Sequence, residues 1–128
     1  MAPPTPAEME ILEVLWSLGS ATVREVHDAL QPARQTGYTT VLKLMQIMAG
    51  KGLLVRDESQ RSHVYTPTIA RDSVQRTMIG EVIDRAFRGS TSAMVMHALS
   101  SRRASPDELA QIRAVIEQLE DEEEEGER

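Results

Sequence analysis

The run from Gly37 to Gly52 (GYTTVLKLMQIMAGKG) constrains this chain more than any other. At about 100° per residue, Val41, Leu44, Met45 and Met48 share one side of a helix, the i, i+3, i+4, i+7 spacing of a face buried against a core. Thr39, Lys43 and Gln46 turn the other way, flanked by Thr40 and Ile47. No carboxylate stands in the run. Hydroxyls, an amide and a cation can meet base edges and phosphates without repulsion.

Helix starts around this run are marked by local chemistry. Thr5-Pro6-Ala7-Glu8, Thr22-Val23-Arg24-Glu25 and Ser105-Pro106-Asp107-Glu108 each have the hydroxyl-x-x-carboxylate spacing of a capping box, two of them with proline at the first helical position. The first opens a stripe of Met9, Leu12, Leu15 and Trp16 that ends at Gly19, with Trp16 as a core anchor. The second opens a short helix with Val23, Val26 and Leu30 inward and His27 on the polar side, stopped at Gln31-Pro32. The third opens a stripe of Leu109, Ile112, Val115, Ile116 and Leu119. A polar turn over 33–37 leads into the central helix. Beyond it, Leu53–Arg56 and His63–Thr66 read as strands joined by a polar turn with Arg61 near its tip, a hairpin. Ala21-Thr22 offers a very short third strand. Ala70–Arg88 is helical again, Gly89-Ser90 breaks it, and Thr91–Leu99 is a short apolar helix in which His97 is expected to be buried or interfacial. The acidic block from Glu120 to Arg128 is expected to be a disordered tail.

The expected fold is mainly α with a small β wing. A winged helix-turn-helix DNA-binding domain covers 1–69, a helical dimerisation domain 70–119, and the tail 120–128. The dimerisation stripe comprises Val74, Met78, Val82, Ile83, Phe87, Met94, Leu99, Leu109, Ile112 and Ile116. So many apolar side chains are more than about 58 residues bury alone, since small isolated domains are marginal. A two-fold dimer solves this and presents two reading helices to a palindromic site.

Charge qualifies the assignment without opposing it. The net charge is −6, yet residues 1–70 hold six Lys and Arg against seven Asp and Glu, and the excess of acid lies beyond. Within 34–64, Arg34, Lys43, Lys51, Arg56 and Arg61 face only Asp57 and Glu58, a balance of +3. Local charge, more than the whole-chain value, decides phosphate contact. Cysteine is absent, which excludes disulfides and thiolate metal sites. No run approaches the roughly 18 apolar residues of a membrane span, and Met1–Pro6 lacks the pattern of a secretory leader. A cytoplasmic protein is expected. His27, His63 and His97 show no metal-ligand spacing, the seven glycines form no phosphate loop, and no nucleophile elbow occurs. Neither an enzyme nor a cofactor or metal site is expected.

In order and spacing, several segments resemble the penicillinase-repressor family of bacterial winged-helix regulators, the BlaI/MecI/CopY type. They are Thr5–Leu12 with Leu15-Trp16, Ala21–Val26, Tyr38–Val41 with Lys51–Leu54, Val64–Pro67, Phe87–Ser90, and the helix from Ser105 to Leu119. The resemblance implies a homodimeric repressor that binds inverted-repeat operators in double-stranded DNA through the third helix and the wing. It also implies dimerisation through the C-terminal helices and, for several members, release by proteolysis through a membrane-bound sensor metalloprotease. The cysteine motif of the copper-responsive branch is missing here. The reading helix departs from the family pattern at Lys43 and Ile47. Its DNA-binding set is therefore assigned from side-chain chemistry: Tyr38, Thr39, Thr40, Lys43, Gln46, Ile47 and Lys51, with Arg61 on the wing. Lys43 suits guanine or phosphate, Gln46 adenine, and Ile47 a thymine methyl. The alternative is a winged-helix protein-interaction module without DNA binding. A polar, cationic face favours DNA, whereas a contiguous apolar face would favour a protein partner.

Overall fold

The capping chemistry legible in the sequence is realised in the computed structural model, which describes residues 3–31 and 35–127. Arg34, counted in the basic segment, and the stop at Pro32 lie outside the described residues. The elements run α1 (Pro6–Leu18), β1 (Ala21–Thr22), α2 (Val23–Leu30), α3 (Tyr38–Gly50), β2 (Leu54–Asp57), β3 (Val64–Pro67), α4 (Arg71–Ala86), α5 (Thr91–Ser101) and α6 (Pro106–Gly126). They divide into two compact units, Met1–Glu81 and Val82–Arg128. The division falls inside α4, later than the 69/70 boundary expected from the sequence, because the break at Pro67 ends a strand and not a packing unit.

In the first unit, the Thr5 and Thr22 hydroxyls each accept the amide three residues on, and Glu8 and Glu25 reach back to the Thr5 and Thr22 amides at 2.9 Å. These bonds satisfy donors that the first helical turn otherwise leaves open. Helical spacing then gathers Ile11, Leu12 and Leu15 of α1, Val23 and Val26 of α2, and Val41, Met45 and Met48 of α3 into one aliphatic core. Leu44, expected on that face, is half-buried. The three strands form an antiparallel sheet in the order β1-β3-β2, and Leu54 and Tyr65 close the core from that side. β2 and β3 each sit one residue later than expected. Gly52 makes the exit from α3 possible. Its φ of 84° lies in the left-handed region, and it lets the Leu53 amide reach back to the Met48 carbonyl at 2.9 Å. Three helices with a hairpin wing make this unit a winged helix-turn-helix.

Three polar contacts join the unit across long sequence separations. The Lys51 ammonium at the end of α3 bonds the Glu8 carboxylate at the start of α1, 2.8 Å away and only 2 % exposed. Burial alone would raise the Glu8 pKa. The Lys51 ammonium and the Thr5 amide outweigh it and hold the carboxyl below its ordinary value. Further round α1, the Trp16 indole N–H donates to the Ile69 carbonyl at 2.9 Å, and the Arg71 guanidinium lies over the ring while pairing with Glu13.

The second unit is built differently. α4 ends in a left-handed turn: Arg88 (φ 51°) and Gly89 (φ 80°) let the Gly89 amide bond the Ile83 carbonyl. Ser90 caps α5 and the Ser105–Glu108 box caps α6. α6 continues through Gly126, so the acidic residues from Glu120 onward are helical up to that point, contrary to the disordered tail expected. Glutamate is a good helix former, and that propensity carries the helix past the like-charge repulsion. Among the described residues from Val82 onward none is buried. His97, expected to be buried or interfacial, is exposed in the single chain, with its ring 5.7 Å from that of Phe87. Val74 needs a correction. It is 1 % exposed in the single chain, so it cannot present itself to a partner. It shares helical spacing with the exposed stripe, and spacing alone does not separate the two.

Glu8 titrates lower folded than unfolded. Its stabilising effect is therefore complete above the ordinary carboxylate pKa and is lost as pH falls through the folded value. Lys51→Met is expected to cost about 1–3 kcal/mol at pH 7 by leaving a buried carboxylate without its main partner. Urea unfolding of both proteins should show this gap closing as pH falls, because protonated Glu8 no longer needs the ammonium. A gap that persists undiminished at acid pH would refute the pairing as its source.

Candidate nucleic-acid interface

The packing that buries Val41, Met45 and Met48 leaves Tyr38, Thr39, Thr40, Lys43, Gln46 and Ile47 exposed along the opposite side of α3. Its N-cap is Gly37, with no side-chain capping bond and no acidic residue in the first turn. The structure thus brings seven of the eight expected DNA-binding residues to open surface free of the core, six on the helix and Arg61 on the wing. Lys51 differs. Its ammonium is engaged by Glu8, which makes it a brace between α1 and α3.

Beside this face lies an open cleft of about 300 Å³ between the start of α2, α3 and the wing. Thr22, Arg24, Tyr38, Gln46, Arg56, Arg61 and His63 line it. Two of these cations were not singled out from the sequence. Arg24 is placed by the capping box that starts α2, and its guanidinium stacks over the Tyr38 ring at 4.4 Å. His27 meets the same ring edge-on at 6.0 Å, with its Nδ1 3.0 Å from Asp28 Oδ1. Arg56 lies directly across from buried Tyr65 in the β2–β3 register and two residues from buried Leu54, so it shares their face of the sheet. The period-two spacing from Leu54 was the signal for that orientation. Nothing local in the sequence pairs Arg24 with Tyr38 across the intervening turn.

Among the described residues no carboxylate lines the cleft, and those next to its cations in sequence are engaged. Glu25 is folded back on its own helix cap. Asp57 accepts the Ser59 amide at 2.9 Å, which holds its pKa below the ordinary value. Glu58 pairs with Arg56, and that guanidinium is further stabilised by Tyr65. Among the described residues, Arg24, Lys43 and Arg61 make no ion pair. The surface is therefore polar and cationic, with Ile47 as its apolar edge, and its geometry suits phosphates and base edges. Among the described residues there is no cluster of three or more His, Cys, Asp or Glu that could hold a metal. No described helix is long and apolar enough to cross a membrane.

Known proteins agree with this architecture. The chain is 33% identical over 115 residues to the transcriptional regulator BlaI of Mycobacterium tuberculosis (strain ATCC 25618 / H37Rv), covering 88% of this chain and 82% of that protein. It is 24% identical over 112 residues to the penicillinase repressor of Bacillus licheniformis, covering 88% of each. Among solved structures it is similar to a MarR family protein from Bacillus stearothermophilus (TM-score 0.50, 21% identity, 94% of this chain and 76% of that one), a likeness of fold. It is also similar to the monomeric form of Bacillus licheniformis BlaI in complex with the blaP half-operator (TM-score 0.49, 27% identity, 56% and 87%). The family profile described as penicillinase repressor matches residues 4–118, and with a relative at this identity across most of its length, the chain belongs to the penicillinase repressor family.

Proposed function

We propose that this chain is a DNA-binding transcriptional repressor that acts in the cytoplasm as a homodimer on an inverted-repeat operator. The observation that carries the reading is the exposed face of α3, where Thr39, Lys43 and Gln46 stand free of carboxylates beside a cleft lined by arginines. Relatives named as a transcriptional regulator and a penicillinase repressor support it. Tyr38, Thr39, Thr40, Gln46 and Ile47 meet the major groove, Lys43 meets a base or a phosphate, and Arg61 follows the backbone from the wing. A protein-docking face would be apolar at its centre, which this one is not.

The second unit supplies the pairing. Its apolar side chains recur at helical spacing and stay open to solvent, with Val82, Leu99, Leu109 and Ile116 exposed and Ile83, Phe87, Met94 and Ile112 half-exposed; Met78, on the first-unit part of α4, is half-exposed too. A second copy covers them in an isologous interface and sets two reading helices on two half-sites. Derepression follows an upstream signal, through cleavage by a membrane-bound sensor metalloprotease. Both connections in this unit are exposed at their arginines; Arg88–Ser90 is held in a turn by the Gly89 and Ser90 amides, while past the bond from the Arg102 amide to the Ala98 carbonyl the chain at Arg102 is extended, which makes the latter the better protease substrate.

Lys43→Ala and Arg61→Ala are each expected to weaken binding to a duplex that the protein enriches from a random pool. Loss of one phosphate contact should lower the slope of log affinity against log salt by about 0.9. Unchanged affinity in both variants would remove α3 and the wing as the reading face. Sedimentation at micromolar concentration should find a dimer for the intact chain and a monomer for Ile116→Glu. A monomeric wild type would refute the pairing.

A further inference from the structure

We propose that Arg24, carried on α2 and stacked on Tyr38, is a DNA-backbone contact, and that the cleft it shares with Arg61 receives one phosphodiester of the bound duplex. The inference rests on the DNA-binding reading above and extends it to a helix outside the α3-and-wing pair.

Three observations carry it. Arg24 and Arg61 both line the open cleft, one from the start of α2 and one from the wing, and among the described residues neither has an ion-pair partner. Two guanidiniums without ion-pair partners on one cleft favour an anion there, and phosphate oxygens accept the paired N–H bonds of guanidinium's planar fork. The Arg24 side chain is not a free surface arginine. Its stack at 4.4 Å on Tyr38, a ring also met edge-on by His27, restricts it to one side of the cleft before any ligand arrives. Such preorganisation reduces the side-chain entropy lost on binding. Finally, the one carboxylate beside Arg24 in the chain, Glu25, is turned back onto the Thr22 amide by the capping box. The first turn of α2 thus spends its acid on the helix and directs its base into the cleft. Thr22 and His63 complete a polar lining suited to phosphate oxygens.

A backbone phosphate and a free phosphate compound share this chemistry, and the assignment is to the backbone. Arg24 lies next to Tyr38, the first residue of the helix that reads the groove. A phosphodiester held here would fix the depth and register of α3 without reading sequence.

The test uses the full chain and the duplex it enriches from a random pool, with the affinity of wild type, Arg24→Gln, Arg24→Lys and Tyr38→Leu measured across a salt series. Arg24→Gln is expected to weaken binding about tenfold near physiological salt and to lower the salt slope by about 0.9, the signature of one lost phosphate contact. Arg24→Lys should keep the wild-type slope while losing part of the affinity, because an ammonium contacts phosphate but stacks less well. Tyr38→Leu should weaken binding with the slope unchanged, since the guanidinium survives without its support. Urea midpoints equal to wild type check that each variant folds. An Arg24→Gln variant with wild-type affinity and slope overturns the inference. So does one with lower affinity at an unchanged slope, which would make Arg24 a prop for Tyr38 alone. Saturable binding of pyrophosphate at constant ionic strength would reassign the cleft to a free phosphate ligand and also overturn it. Failure of the wild type to enrich or bind any duplex defeats the DNA-binding reading itself, a result distinct from these because it appears before any substitution.

Discussion

The contact between Glu8 and Lys51 is the one on which the DNA-binding unit depends. Glu8 completes the cap of α1 and, 43 residues away in sequence, receives the ammonium that follows α3. A carboxylate at a helix start and a cation at a helix end each suit the dipole of their own helix. Joined to each other, they fix where the end of α3 lies against the start of α1. The aliphatic core beneath sets Met45 and Met48 of α3, side chains that adapt to many packings, among leucines and the stiffer Ile11, Val23, Val26 and Val41. A directional ion pair between buried Glu8 and half-exposed Lys51 restricts that freedom, and α3 can therefore hold its outward face still.

That outward face illustrates how an acidic protein presents a cationic surface. The chain carries a net charge of −6, but in the DNA-binding unit the carboxylates are tied into structure. Glu8 serves Lys51, Glu25 serves a helix cap, Asp57 serves a turn amide and Glu58 serves Arg56. These carboxylates keep their charge, but none of them lines the cleft, where Arg24, Arg56 and Arg61 set the local field. The acid that remains is concentrated on α6, in the other unit. The first half is close to neutral and the second carries the excess acid, so whole-protein charge describes neither half.

The sequence made the local features legible and the distant ones opaque, for a physical reason. The capping boxes of α1, α2 and α6 work at i to i+3, and all were readable residue by residue. The two faces of α3 followed from periodicity, and the wing from turn chemistry, to within one residue. Partners across loops were not readable: Lys51 belongs by sequence to the expected DNA-binding set, and its pairing with Glu8, like the stack of Arg24 on Tyr38, arises only in the fold. Val74 failed in a related way. It belongs to a stripe whose other members are exposed or half-exposed, and burial of one member is a tertiary fact. The helix through the acidic block failed because charge density and helix propensity oppose each other there, and composition alone does not weigh them.

The absence of any buried side chain among the described residues from Val82 onward has a further consequence. A helical segment without an interior of its own holds little folding free energy, and what it has comes from whatever covers its apolar face. When a second copy is that cover, folding and assembly become one equilibrium, and the folded fraction rises with the number of chains in the cell. Occupancy of the DNA then varies more steeply than in proportion to that number. On the pairing reading, the bare surface of the second unit ties assembly to abundance, and each loss of intact chains lowers the assembled fraction by mass action.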